Sequence, residues 1–144
     1  MIDLQADWQE AWRVLKPIGI AYVLTALIGW DREREAHSAG VRTFPIVGMA
    51  SCGYLLALGP QPDAAAQSRV LQGLITGIGF VGGGAILKEG ATVKGTATAA
   101  SIWNAGVIGA SVAMNRYEIA VVLALVTCVL SFGLLRITRR QAGV

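Results

Sequence analysis

Charge is what this sequence has least of: only 15% of its 144 residues are charged, against 54% hydrophobic. The 12 basic and 9 acidic side chains would cover the surface of a water-soluble domain of this length thinly. Cysteine occurs twice and histidine once, which excludes a disulfide scaffold. With His37 as the single imidazole, no Ser/His/Asp or Cys/His arrangement can be assembled, so the chain is read as a non-enzyme with no catalytic residues. Cys52 and Cys128 lack CxxC spacing and read as small core residues. No three-residue glycine period exists, which excludes a collagen-like fibre, and so apolar a composition excludes intrinsic disorder. No basic stripe alternates with aromatics, and the net charge is only +3, so nucleic acid is not expected as a partner.

What is present is a set of long uncharged stretches. Five run Pro17–Trp30, Thr43–Pro62, Val70–Leu87, Gly95–Asn115 and Ile119–Leu135. Four approach the roughly 20 apolar residues that span a bilayer. None alternates with period 2, so a membrane barrel is excluded. The first stretch is short, and its helix is expected to begin upstream: Trp8, Ala11, Trp12 and Leu15 share one helical face opposite Asp3, Asp7 and Glu10, as at a membrane interface. The acidic residues ahead of it argue against a cleaved signal peptide. The fold class expected is therefore all-α, a polytopic membrane protein of about five transmembrane helices forming a single domain over residues 1–144. Counting Lys and Arg on alternate sides gives four (Arg13, Lys16, Arg69, Arg116) against eight (Arg32, Arg34, Arg42, Lys88, Lys94, Arg136, Arg139, Arg140). The positive-inside rule then places the N-terminus outside and the C-terminus in the cytoplasm. A re-entrant third stretch would give the same count with both termini cytoplasmic.

The stretches differ in what they can face. The fifth is rich in Leu, Ile, Val and Phe and belongs on the periphery. The fourth has only Ile102, Val107, Ile108 and Val112, about −2 kcal/mol of insertion energy at best, and should lie among other helices. Its small residues Ala97, Ser101, Ala105, Gly109 and Ala113 recur every four positions. In the third stretch Gly73/Gly77 and Gly79/Gly83 are GxxxG pairs. A Gly-rich central helix pair, formed by the third and fourth helices, is therefore expected in the bundle or at the interface of a homo-oligomer, with a dimer the simplest case. The fourth helix also carries a polar stripe of Thr98, Ser101, Asn104, Ser111 and Asn115. It reads either as interhelical hydrogen-bond glue or as the wall of a wet cavity.

Two constellations need weighing. Gly77-Ile78-Gly79-Phe80-Val81-Gly82 spells GxGxxG but lies inside an apolar run with no acid near Ile102, so it is not a dinucleotide site, and no cofactor is expected. Asp31-Arg32-Glu33-Arg34-Glu35 is the densest charge cluster. It is either a solvated helix end or a buried network reaching Arg42, and five charges cannot sit at the bilayer centre. No metal site is assigned; Asp31, Glu33 and Glu35 are the weak candidates for a hard cation, and Glu33 with His37 does not make a zinc site.

Three segments carry a family resemblance. Gly29-x-Asp31-Arg32 with Ala39-Gly40-Val41-Arg42-Thr43, then Arg69 with Gly77-Ile78-Gly79-Phe80-Val81-Gly82, then Lys88-Glu89-Gly90, Val93-Lys94-Gly95, Thr98-Ala99-Ala100 and Trp103, resemble in order and spacing the motifs of the MgtC/SapB family. The departures are Asp31 where Glu is usual, Gly83 where Ala is usual, and Pro45, which is expected to disturb the second helix. The resemblance implies a multi-pass domain of the bacterial inner membrane with an outside N-terminus, in contact with lipid. It also implies an association with growth under magnesium limitation, in some members by inhibition of the F-type ATP synthase. The functional residues it implies are Asp31, Arg32, Arg42, Thr43, Arg69, Gly77, Gly79, Gly82, Glu89, Thr98 and Trp103; Arg34, Lys94 and Asn104 join them from the charge cluster, the Val93-Lys94-Gly95 motif and the polar stripe. Longer members carry an ACT-like cytosolic domain, and regulation through one is expected to be absent here or to come from another polypeptide. The alternative function is a cation-binding or cation-conducting protein with a path past Asp31, Arg42 and Asn104.

Overall fold

The computed structural model describes residues 4–33 and 40–141, with side chains described over 8–30 and 40–131. Five helices follow one another: α1 (Leu4–Glu33), α2 (Thr43–Leu56), α3 (Ala64–Gly83), α4 (Thr96–Ala113) and α5 (Tyr117–Gln141). Between α3 and α4 lies a two-stranded antiparallel hairpin, β1 (Leu87–Glu89) and β2 (Thr92–Lys94), with Lys88 paired to Val93. The uncharged stretches thus mark five helices, with shifted ends. The apolar pattern could not foresee the hairpin, because its signal is the two-residue loop Gly90-Ala91. Gly90 adopts φ +62°, as the first position of a II′ turn requires.

Local chemistry sets the helix ends. Asp63 caps α3 by accepting from the Ala66 amide at 3.1 Å, so this helix starts six residues before the first uncharged position. It ends at Gly83, ahead of Leu87, because the chain turns there into the hairpin. α2 stops at Leu56, short of Pro62, where Gly59 turns the chain at φ +85°. Pro45 does not disturb α2, correcting the expectation above. It falls in the first helical turn, where its missing N–H would have had no intrahelical partner. α1 is one continuous helix about 45 Å long, with Pro17 inside it and the Trp8 and Trp12 rings edge to face at 5.7 Å on its exposed flank.

α4 is the centre, touching all four other helices. Its closest neighbour, however, is α2 and not α3. A Cβ on Gly109 would collide with the backbone of Gly48, and one on Gly48 would meet the Thr25 side chain of α1 at 2.7 Å. Small-residue packing therefore joins α1, α2 and α4 at Thr25, Gly48 and Gly109. α3 meets α4 where Gly82 faces the Ala99 carbonyl and Ile78 packs over Gly106. Its GxxxG residues Gly73, Gly77, Gly79 and Gly83 have nothing within 4 Å of a notional Cβ, and Gly82 is its one buried residue. Within this chain α2 is thus the closer partner of α4, and α3 meets α4 through Gly82 while its GxxxG glycines point outward.

The core is apolar, with Ile28, Phe44, Ile102, Ile108 and Val112 fully or almost fully buried, but it also holds hydroxyls, and many long aliphatic side chains lie outside it. Thr25, Ser51, Thr98, Ser101, Ser111 and Ser131 are buried, while Leu27, Ile46, Phe80, Val122, Leu125, Val129 and Leu130 are exposed. α5 presents an outer face of Val121, Val122, Leu125, Val126, Val129 and Leu130, in keeping with its expected peripheral place. Among the described residues, α1 over Trp8–Trp30 is the helix long and apolar enough to cross a membrane; α2 and α5 over Tyr117–Ser131 are apolar but shorter.

Candidate functional site at the hairpin end of the bundle

Helix direction brings the chemically distinctive segments together. α1 ends, α2 begins, α3 ends, the hairpin projects and α4 begins on one side of the bundle. Three close backbone approaches knit that end. Gly29 of α1 lies against Gly40 and Val41, where a Cβ would stand 3.1 Å from the Gly40 carbonyl. Gly82 lies against Ala99, and Gly95 lies beneath the Ala85 carbonyl. Gly95 also adopts φ +86°, so conformation and space both exclude a side chain there. The neck between hairpin and α4 is thereby fixed at its first helical turn.

On this frame Arg42 is exposed immediately before α2, and Thr43 is half-buried at its start. The hairpin carries Glu89 and Lys94 in a 2.7 Å ion pair, both side chains about 60% exposed. A pair so open to solvent contributes about 0–1 kcal/mol and shapes the hairpin surface more than its stability. Thr98 is 2% exposed in the first turn of α4, one turn from the Gly95 neck. The buried-network reading of the charge cluster finds no support on the Arg42 side, since that guanidinium is exposed. The side chains of Asp31, Arg32 and Glu33, and all of Arg34, Glu35 and His37, lie outside the described residues. Among the described residues no group of three or more metal-ligating side chains occurs.

Other candidate residues lie elsewhere. Arg69 is exposed in the half of α3 remote from the hairpin. Gly77 and Gly79 stand on open faces of α3. Trp103, half-exposed on α4, borders a cavity of about 220 Å³ with Leu71, Leu74, Ile75 and Ile78 of α3. Asn104 donates its amide N–H to the Thr127 hydroxyl of α5, and that hydroxyl donates in turn to the Leu123 carbonyl.

At Asn104 this bond fits the glue reading of the polar stripe. Thr25, Ser51, Ser101 and Thr127 each donate to a carbonyl four residues back in their own helix, and Asn104 bridges two helices. The hydroxyls of Thr25, Ser51, Ser101 and Thr127 are thus spent locally, and Asn104 acts as glue between α4 and α5. Two larger cavities each border one of these polar residues, the first Ser51 and the second Asn115. A trough of about 750 Å³ between α2 and α3 has an apolar lining, including Val47, Ala50, Gly73 and Gly77. A second, of about 640 Å³, opens at the end remote from the hairpin, bordered by Glu10, Arg13, Lys16, Asn115 and Tyr117. Sequence reasoning found neither. The trough had a signal in the Gly73/Gly77 spacing, but nothing in the sequence says which neighbour a glycine faces.

At the same remote end Asn115 holds φ +58° and closes α4, with the Arg116 amide donating to the Ser111 carbonyl at 2.8 Å. Arg116 pairs with Glu118 in the first turn of α5. Its guanidinium hydrogen bond holds the Glu118 carboxyl below the ordinary value, helped by a backbone hydrogen bond there.

The model of the MgtC family matches residues 18–140. Among curated proteins the chain is 30% identical to an uncharacterized Synechocystis protein over 89% of the chain and 53% of that protein. It is 32% identical to protein SrpB of Synechococcus elongatus over 94% of the chain and 80% of that protein, and 32% identical to protein MgtC of Salmonella typhimurium over 74% and 46%. The chain thus spans about half the length of the Synechocystis and Salmonella relatives. No solved structure matches it.

Proposed function

The chain belongs to the MgtC family, and from that premise we propose that it is a non-enzymatic protein of the bacterial inner membrane that serves adaptation to magnesium limitation by modulating another membrane complex. In this reading the five helices cross the bilayer, with the N-terminus outside and the hairpin end in the cytoplasm. The observation that carries it is the apolar exterior: long aliphatic side chains stand outside a core that is itself apolar and holds several hydroxyls, a surface suited to lipid or to another membrane protein. The hairpin end supplies the polar recognition surface, with Arg42, Lys88, Glu89 and Lys94 exposed on a backbone pinned by Gly29, Gly82 and Gly95. The F-type ATP synthase is the class of partner that the family resemblance suggests.

The local hydrogen bonds of Thr25, Ser51 and Ser101 and the apolar lining of the α2/α3 trough favour this over cation conduction, which needs a hydrated path lined by polar groups. The test has two arms. Expressed in a host lacking its own family member, the chain is expected to restore growth at limiting magnesium and to co-purify with a membrane complex. Arg42→Glu is expected to abolish both while the protein still reaches the membrane. Recovery of no partner from native membranes at any magnesium level contradicts the proposal, as does specific cation flux in liposomes containing the purified chain alone.

A further inference from the structure

The cavity of about 640 Å³ at the end remote from the hairpin differs from the α2/α3 trough in being lined by charge. Glu10, Arg13 and Lys16 of α1 all border it, together with Asn115 and Tyr117 from the junction of α4 and α5. Among the described residues the salt bridges are Lys94–Glu89 and Arg116–Glu118, so none of the three α1 charges has an ion-pair partner there. The Tyr117 hydroxyl donates to Oδ1 of Asn115 at 3.1 Å, which uses the acceptor end of that amide and leaves Nδ2 as a donor. The lining is therefore rich in N–H donors and holds one carboxylate. The rest of it is largely apolar, with Trp12 of α1 and Leu55 and Leu56 at the end of α2. A site of this make-up takes a molecule that is itself polar at one end and apolar at the other.

Depth puts these groups in order. Arg13 lies about 26 Å along α1 from Trp30, and the hydrocarbon core of a bilayer is about 30 Å thick. In the membrane-spanning reading, on which this inference rests, Arg13 stands at the outer boundary. Glu10 is then about 4.5 Å of helix outside it and Lys16 the same distance inside. A phospholipid of the outer leaflet presents its groups in a matching order, with the headgroup substituent outermost, then the phosphate, then the glycerol esters and acyl chains. We propose that the cavity binds the headgroup of an aminophospholipid, its ammonium donating to the Glu10 carboxylate and its phosphate accepting from Arg13 and Lys16, with Nδ2 of Asn115 a further donor. A cation left unpaired at the edge of the hydrocarbon is costly, and the phosphate offsets that cost at its own depth. An inorganic anion would meet the same cations but leave the apolar wall wet and most of the volume, room for on the order of twenty water molecules, unfilled. A phosphatidylglycerol would match Arg13 and Lys16 but set an uncharged glycerol against Glu10.

The experiment reads lipid retention by native mass spectrometry, after the full chain is reconstituted in phosphatidylcholine vesicles holding equal parts of phosphatidylethanolamine and phosphatidylglycerol. One phosphatidylethanolamine per chain is expected to be retained, about fivefold in preference to phosphatidylglycerol. Glu10→Gln is expected to abolish that preference while retention of lipid persists. Arg13→Ala combined with Lys16→Ala is expected to lower retention of both lipids about tenfold. Both side chains are exposed, so an unchanged thermal unfolding profile marks the loss as local. Arg116→Ala removes an exposed cation at the same end that does not line the cavity, and is expected to leave retention unchanged. Equal retention of the two lipids by the parent chain overturns the proposal. So does retention that survives the Arg13/Lys16 double variant, or that falls equally with Arg116→Ala, the signature of diffuse surface charge. Displacement of the lipid by millimolar inorganic phosphate also overturns it, because the site would then be one for a free anion. Vesicle flotation separates the two levels: a chain that floats without selective retention contradicts the lipid site alone, whereas one that does not float contradicts the membrane reading beneath it.

Discussion

Gly109→Ala and Gly53→Ala make the same chemical change in helices that touch, and the structure predicts opposite signs. At Gly53 an added Cβ meets nothing within 4 Å, so the substitution brings only the helix preference of alanine, about 1 kcal/mol stabilising. At Gly109 the Cβ lands on the Gly48 carbonyl group, which is backbone and cannot rotate away. α2 and α4 must separate, and a gap of about 0.5–1 Å forfeits a quarter to a half of the dispersion energy of each atom pair across the contact. Phe44, Cys52, Ala105, Ile108 and Val112 are fully or almost fully buried in the core these helices share. Overpacking of this kind costs about 1–3 kcal/mol, and separation of backbones lies at the upper end. After the gain in helix preference, Gly109→Ala should be destabilised by about 1–2 kcal/mol and should differ from Gly53→Ala by about 2–3 kcal/mol. Reversible unfolding in mixed micelles, both variants measured against the parent chain, reads the difference. Equal effects, or a stabilised Gly109→Ala, would refute the assignment of α2 and α4 as the closest pair.

Other outcomes follow from single contacts. Asn104→Ala should cost about 0.6–2 kcal/mol, and a double-mutant cycle with Thr127→Val should show most of that as coupling; additive effects would remove the α4–α5 hydrogen bond from the account. Gly95→Ala should impair folding far more than Gly90→Ala: both sit at positive φ, but only Gly95 also lies against a carbonyl, that of Ala85. Comparable expression and unfolding of the two would contradict this. For Glu118, a folded-state pKa below the ordinary value means its contribution to stability is full above the unfolded carboxyl pKa and is lost as pH falls through the folded one. Arg116→Ala should therefore raise the carboxylate titration midpoint, followed by isotope-edited infrared spectroscopy, and an unmoved midpoint would dissolve the pair.

Much of the helical framework was legible in the gaps between charges, because lipid-facing and core helices exclude charge for the same reason, the cost of desolvating it. The ends were less so. Asp63 extends α3 outside its apolar run by capping it, and Gly59 cuts α2 short by turning the chain, and both act through backbone geometry that hydropathy ignores. The placement of the glycines was half legible. Gly48, unremarkable in sequence, makes one of the two tightest backbone contacts, whereas the conspicuous GxxxG pairs of α3 face outward. Spacing reports that a helix has a small-residue face, and only the packed bundle reports where that face points. At the hairpin end Glu89, Gly95 and Thr98 were singled out by motif. Their common logic, a pinned neck presenting an exposed ion pair, appeared only with Gly90 and Gly95 seen at positive φ.

The central claim is that the aliphatic exterior faces lipid while the hairpin end faces the cytoplasm, and thiol accessibility in spheroplasts tests it most directly. In the cysteine-free background, Gln61→Cys between α2 and α3 should react with a membrane-impermeant maleimide from outside. Ala91→Cys in the hairpin should react only after permeabilisation, and Leu125→Cys on the outer face of α5 should remain unreactive to the water-soluble reagent throughout. Labelling of Ala91→Cys in intact spheroplasts, or ready labelling of Leu125→Cys from water, would contradict it.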